Sequence, residues 1–234
     1  MLGLGTLTPS SNVVVERVTI AMLAGLPDVS PHFARFGYAG SKAQFENDYD
    51  WAAMLEAARL LADARLDVIC WNGSRGGTLG FARDRLLCER IAGAHGIAAT
   101  TSTLALDQLL RRAGIRRIGF VTPYVEALHS RMAEVWGEAG YAVAGAVGAG
   151  LTDNFSYSTM TAAQIRSMAH RAAAAGPEAL VCYCTNMPAA ELCAPLEAEL
   201  GIPVLDAVSA GVWGALDMVG RREALAPAWG RLLG

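Results

Sequence analysis

The 234-residue chain is 53 % hydrophobic and 18 % charged, which gives it enough apolar material for one large domain or two small lobes sharing an interface. A formal net charge of −3 and the lack of a Lys/Arg-rich block exclude nucleic acid as the main expected partner. No run approaches the roughly 18 apolar residues of a membrane span, and the N-terminal stretch lacks a basic region leading into an apolar one, so a cytoplasmic protein without membrane contact is expected.

Along the chain, apolar runs bounded by turn residues alternate with amphipathic segments, the pattern of βα units around a parallel sheet. A first strand at 2–7 ends in Thr8-Pro9-Ser10-Ser11-Asn12, and a helix follows over 13–26 with Ser11 or Asn12 as its cap. A second strand at 32–38 precedes a clear amphipathic helix at 48–64, with Trp51, Met54, Leu55, Ala58 and Leu61 on one stripe. Next come a strand at 66–71, a Gly-rich turn at 72–77 and a helix at 79–94.

The order then repeats. Strands are expected at 98–101, 117–122, 141–149, 179–183 and 202–206, and helices at 103–113, 125–139, 161–175 and 188–200. A polar loop covers 151–159, and the closing helices begin near Val208. The expected fold class is therefore α/β, with two pseudosymmetric lobes, each a mainly parallel sheet flanked by helices, and the site between them. Residues 1–97 with 207–234 would form the N-terminal lobe and 98–206 the C-terminal lobe.

In parallel sheets, ligand groups gather at the carboxyl ends of strands. Four such ends carry small or polar clusters: Pro9-Ser10-Ser11-Asn12, Asn72-Gly73-Ser74-Arg75, Thr122-Pro123-Tyr124 and Cys184-Thr185-Asn186. The five cysteines (Cys70, Cys88, Cys182, Cys184, Cys193) are odd in number and sit in apolar runs, which suggests free thiols rather than a disulfide framework. Most buried cysteines are small hydrophobes, and four of these fit that description. Cys184 differs because its neighbours are a hydroxyl and an amide. With Pro188 in the first turn of the following helix, its thiolate should be stabilised. The four histidines lack ligand spacing, and His129 and His170 read as residues on helix surfaces without a role.

Laid over one another, residues 67–75 and 178–186 share a shape in which Cys184 falls on Gly73 and Thr185 on Ser74. The turn Gly73-Ser74-Arg75-Gly76-Gly77 is neither a dinucleotide fingerprint nor a P-loop, yet it can present N–H groups to an anion. Ser74 could add a hydroxyl and Arg75 a bidentate clamp for a carboxylate; equally, Arg75 could lie in solvent. The Tyr124 phenol can hydrogen-bond a carboxylate or serve as a half-buried aromatic cap.

Together, the four clusters and the later Gly201-Ile202-Pro203-Val204 resemble the maleate isomerase and arylmalonate decarboxylase branch of the aspartate/glutamate racemase superfamily. The resemblance implies two pseudosymmetric α/β lobes, a small carboxylate substrate, and no metal or organic cofactor. It also implies one or two cysteines acting on the carbon next to a carboxylate. Cys184 matches the second-lobe catalytic cysteine, Asn12 the substrate-contacting amide of the isomerases, and Tyr124 the carboxylate-binding tyrosine. The departure is at Gly73, where isomerases and racemases carry a first-lobe cysteine and the decarboxylases carry glycine followed by hydroxyl residues. Ser74 fits the decarboxylase pattern and Arg75 does not, whereas Pro-Ser-Ser-Asn and Cys-Thr-Asn look more like the isomerases.

A single thiol suits decarboxylation of a substituted malonate. Hydrogen-bond donors hold the enediolate and one acid protonates it from one face. Cys184 is the expected proton donor, with Asn12, Gly73, Ser74, Arg75, Tyr124, Thr185 and Asn186 around the substrate. The alternatives are a maleate-type isomerase or racemase using Cys184 with another partner, and a non-catalytic carboxylate-binding protein on the same scaffold. A homo-oligomer is compatible with all three.

Overall fold

The computed structural model describes residues 1–37, 48–221, 225 and 227–234. One sheet contains β1 (Leu2–Pro9), β2 (Val29–Phe36), β3 (Val68–Trp71) and β4 (Ala98–Thr101) in the order β2-β1-β3-β4. The other contains β5 (Arg117–Thr122), β6 (Ala142–Gly148), β7 (Ala179–Cys182) and β8 (Val204–Asp206) in the matching order β6-β5-β7-β8. All these pairings are parallel. The strand order reverses between β1 and β3 and again between β5 and β7. Such switch points open a crevice beyond the strand ends, which is where all four polar clusters lie. The central strands β3 and β7 are buried at every position, as near-continuous apolar runs covered on both faces should be.

The helices are α1 (Val15–Leu23), α2 (Trp51–Ala62), α3 (Gly76–Leu79), α4 (Phe81–His95) and α5 (Ser102–Arg112), then α6 (Glu126–Glu138), α7 (Asn154–Tyr157), α8 (Ala162–Ala173), α9 (Cys193–Leu200) and α10 (Ala207–Met218). Several begin on a side-chain acceptor that satisfies an orphan N–H. Asp50 caps α2, Thr101 caps α5, and Thr161 and Gln164 form a reciprocal capping box on α8. The outer face of the first sheet packs Leu7, Ile69 and Trp71 against Met54, Leu61 and Leu87. A larger core joins the two lobes, running from Leu4, Val15 and Val68 through Leu106 to Phe120, Trp136 and Tyr183. Helix α10 returns from the end of β8 to pack on α1, β3, β4 and α5. It can approach closely because a Cβ on Gly211 would stand 2.8 Å from both the Asn72 amide and the Ser102 hydroxyl.

The structure departs from the sequence reading in five places. The strand at 98–101, expected to open the second lobe, pairs with β3 through Val68↔Ala98 to Trp71↔Thr101 and so completes the first sheet. The segment expected as one helix over 188–200 instead makes a 3-10 turn at Ala190–Leu192 before α9 starts at Cys193. The polar loop and the Gly-rich turn each contain one short helix, α7 and α3 respectively. His129 is not on a helix surface: it is buried, with Nε2 2.6 Å from the Thr122 hydroxyl. Tyr38, the expected end of the second strand, lies outside the described residues.

Asp206 ends β8 and caps α10, where Oδ1 accepts from the Ser209 N–H at 2.9 Å. Its Oδ2 is buried with no hydrogen-bond partner among the described residues. Burial pushes this carboxyl up to about 7, against the opposing pull of the Ser209 hydrogen bonds. A carboxyl raised in the folded state adds stability that is complete below its unfolded value of 3.8 and is lost as pH rises through about 7. Asp206→Asn removes that dependence. The stability difference, wild type minus variant, should therefore be larger at pH 5 than at pH 8, as read from urea denaturation at both pH values.

Candidate active site

The crevice between the sheets narrows to a pocket of about 510 Å³ including its mouth, lined among others by Asn12, Gly73, Ser74, Arg75, Tyr124, Cys184 and Thr185. Seven of the eight residues singled out from sequence therefore meet at one place. The eighth, Asn186, is buried and absent from the lining. Its Oδ1 accepts from the Val13 N–H at 2.9 Å, its side-chain amide donates to the Asn154 carbonyl, and its backbone N–H points at Cys184 Sγ at 3.4 Å. Asn186 thus ties the two lobes together through its side chain and does not line the pocket.

Asn12 is similarly engaged. Its Oδ1 accepts from the N–H groups of Val14 and Val15, both at 2.9 Å, which closes the start of α1. Its Nδ2 donates to the Thr185 carbonyl at 3.1 Å, fastening the first lobe to the turn that carries Cys184.

Cys184 is 2 % exposed. Burial pushes its thiol up to about 12, although hydrogen bonds from Tyr124 and from the Asn186 N–H favour the thiolate. This corrects the expected thiolate. The following segment is a turn and a short 3-10 helix, so the α-helix expected directly after the thiol does not start there. The resting group is a neutral thiol with donors already in place for the anion it becomes on giving up its proton.

Tyr124 connects the lobes. Its hydroxyl is 2.7 Å from Ser74 Oγ and also hydrogen-bonds the Cys184 sulfur. Burial, reinforced by the nearby thiol, holds the phenol well above its ordinary value, so it is protonated. The loop that presents it is fixed from behind: the Tyr124 N–H donates to Thr122 Oγ1 at 3.1 Å, and Thr122 is bonded in turn to His129.

The first-lobe wall is made by an aromatic residue that the sequence reading did not single out. A Cβ built on Gly73 would stand only 2.1 Å from Cζ2 of the Trp71 benzo ring, far inside van der Waals contact. The indole Nε1 donates to Tyr49 Oη at 3.3 Å, Phe36 packs on the ring at a centroid distance of 5.3 Å, and Tyr49 donates to the buried Asp84 carboxylate. Burial raises Asp84 to about 6, against hydrogen bonds from Thr101 and Tyr49. The ring is therefore held in place, and position 73 has no room for a side chain.

Arg75, 9 % exposed, lines the pocket with Nη1 3.5 Å from Thr78 Oγ1. Asn154 and Tyr157 of α7 also line the pocket, and the Asn154 amide donates to Ser11 Oγ at 2.7 Å. Sequence offered one hint of them, an Asp-x-x-Ser cap pattern within an aromatic-containing polar loop, and that cap forms between Asp153 and the Ser156 N–H at 2.9 Å.

Comparison with known proteins agrees with this geometry. A curated arylmalonate decarboxylase from Bordetella bronchiseptica is 26 % identical over 155 residues, 65 % of each chain. A maleate isomerase from Nocardia farcinica is 28 % identical over 247 residues, covering 98 % of this chain and 94 % of that one. Among solved structures, a cysteine-to-serine mutant of the Nocardia farcinica maleate cis-trans isomerase with a covalently bound succinylcysteine intermediate superposes with a TM-score of 0.87 at 26 % identity, covering 99 % of this chain and 98 % of that one. An arylmalonate decarboxylase crystal structure shares the fold, with a TM-score of 0.82 at 23 % identity and coverage of 99 % of this chain and 98 % of that one. The arylmalonate decarboxylase family profile matches residues 41–233, and the chain belongs to that family, on the branch it shares with the maleate isomerases.

Proposed function

We propose that the protein is a cofactor-independent decarboxylase of a small substituted malonate or related dicarboxylate, with Cys184 as the proton donor. The observation that carries this reading is the asymmetry of the pocket. A neutral thiol stands on the second-lobe side, and the opposite position, Gly73, has its side-chain space filled by Trp71. One-sided acid catalysis needs no more than that, whereas a two-base racemase or a first-lobe nucleophile needs a group at position 73.

In the proposed reaction the bond between the α-carbon and one carboxylate breaks. Its electron pair stays on the α-carbon, carbon dioxide departs, and the remaining carboxylate becomes an enediolate. Ser74, Tyr124, Thr185 and backbone N–H groups of the 73–76 turn hold the enediolate oxygens, where charge builds up. Arg75 adds a fixed positive charge on the same side. Around the retained carboxylate this charge stabilises the enediolate; around the departing one it would oppose loss of a neutral molecule. Cys184 then gives its proton to the α-carbon, and the resulting thiolate is held by Tyr124 and the Asn186 N–H until water reprotonates it.

Arg75 also favours a second reading, a dicarboxylate isomerase resembling the Nocardia farcinica relative, because a pocket cation can hold a carboxylate that stays on the substrate. One experiment separates the two. Methylmalonate or phenylmalonate in deuterated water should release carbon dioxide and yield a product with one deuterium at the α-carbon in a single configuration. Conversion of maleate to fumarate, or α-proton exchange without carbon dioxide release, would replace the decarboxylase with the isomerase or racemase.

A further inference from the structure

We propose that Trp71 is the specificity-determining residue of this pocket, its indole setting the width of the non-reacting substituent that a substrate can carry beside Cys184. The inference takes its substrate class from the decarboxylase reading above, but its physical basis is independent of the reaction. Trp71 closes β3, two residues before Gly73, and lines the same pocket as Cys184 and Tyr124. The pair is matched in size: the largest side chain stands where the smallest residue leaves room, since a Cβ on Gly73 would overlap the ring at 2.1 Å from Cζ2.

The ring has no freedom to swing aside for a larger ligand. Tyr49 accepts from its N–H at 3.3 Å and is itself fixed by Asp84, and Phe36 packs against the ring at 5.3 Å. Trp71 is 1 % exposed, so rotation would have to displace core neighbours on the outer face of the sheet. A wall built this way sets a fixed limit on width, and loss of one apolar contact or removal of one steric barrier in such a pocket shifts selectivity about 10- to 200-fold.

The test uses α-halo carboxylates as probes of the space beside the thiol. Alkylation of Cys184 by iodoacetate and by α-bromophenylacetate is followed at pH 9 by peptide mass mapping, and the ratio of the two rates is compared between proteins. The ratio cancels any change in thiol ionisation caused by the substitution. Trp71→Leu should raise the bromophenylacetate-to-iodoacetate ratio by about tenfold or more, and Trp71→Phe, which keeps a smaller ring, should raise it less.

Should the leucine variant fail to fold, the phenylalanine variant decides the matter. An unchanged ratio in a variant with the wild-type circular dichroism spectrum would overturn the assignment. Malonate turnover by the same proteins separates this inference from the reading beneath it. If the wild type releases no carbon dioxide, the decarboxylase assignment falls, while the alkylation ratio still decides whether Trp71 sets the width.

Discussion

Cys184→Ala should lose turnover by about 10³-fold or more in kcat while folding normally, because it deletes the acid that completes the reaction. The change removes one sulfur atom from a residue 2 % exposed, so the stability cost should be about 1 kcal/mol, far too small to unfold the protein. Cys184→Ser sharpens the test. Serine keeps the volume and the hydrogen bonds from Tyr124 and Asn186 but is a much weaker acid, so it should lie close to alanine in kcat. Burial raises the wild-type thiol to about 12, so the acid form dominates across the physiological range and its activity should show no loss from thiol ionisation between pH 6 and 9. Steady-state kinetics with melting curves check all four statements. An alanine variant within tenfold of wild type would remove Cys184 from the mechanism.

Tyr124→Phe should reduce kcat by about 10²-fold with a smaller change in KM, the signature of a donor whose hydrogen bond strengthens as charge develops. The lost hydroxyl serves two neighbours, Ser74 Oγ at 2.7 Å and the Cys184 sulfur. Its removal therefore weakens both the enediolate pocket and the hold on the product thiolate. Ser74→Ala should cost less, because the Tyr124 hydroxyl remains to donate. The double variant should be markedly less impaired than the product of the two single effects, because the two hydroxyls share one hydrogen bond. Independent effects in that cycle, or an unchanged kcat in Tyr124→Phe, would show that the inter-lobe bond is structural alone.

Much of the fold was legible because apolar runs alternate with period-3.6 amphipathic segments and four strands end in small polar residues. Those endings also located the pocket, since parallel strands deliver their carboxyl ends to one crevice. What stayed hidden came from contacts between distant segments. Nothing near Trp71 in the sequence says that its ring will fold back over Gly73, because Tyr49, Phe36 and Asp84 hold it there from three other elements.

The same holds for His129, which a helical pattern places outside and which a single bond to Thr122 allows inside. The ionisation of Cys184 was misread for a related reason. Local sequence suggested a helix N-terminus, but burial from both lobes outweighs the nearby donors. Asn186 looked like a substrate contact because it follows Thr185, yet its side chain is taken up by bonds to Val13 and Asn154.

The bonds that fasten the lobes also make the cleft depend on docking of both sheets. Asn12 reaches Thr185, Val13 reaches Asn186 across 173 positions, and Ser11 reaches Asn154 across 143. Each lies at the far end of a very long chain loop whose closure is costly until both sheets exist. Each sheet can form largely from its own neighbouring βα units, but the cleft cannot exist until they dock. A chain whose two sheets have not docked therefore carries the thiol without the surroundings that make it an acid catalyst.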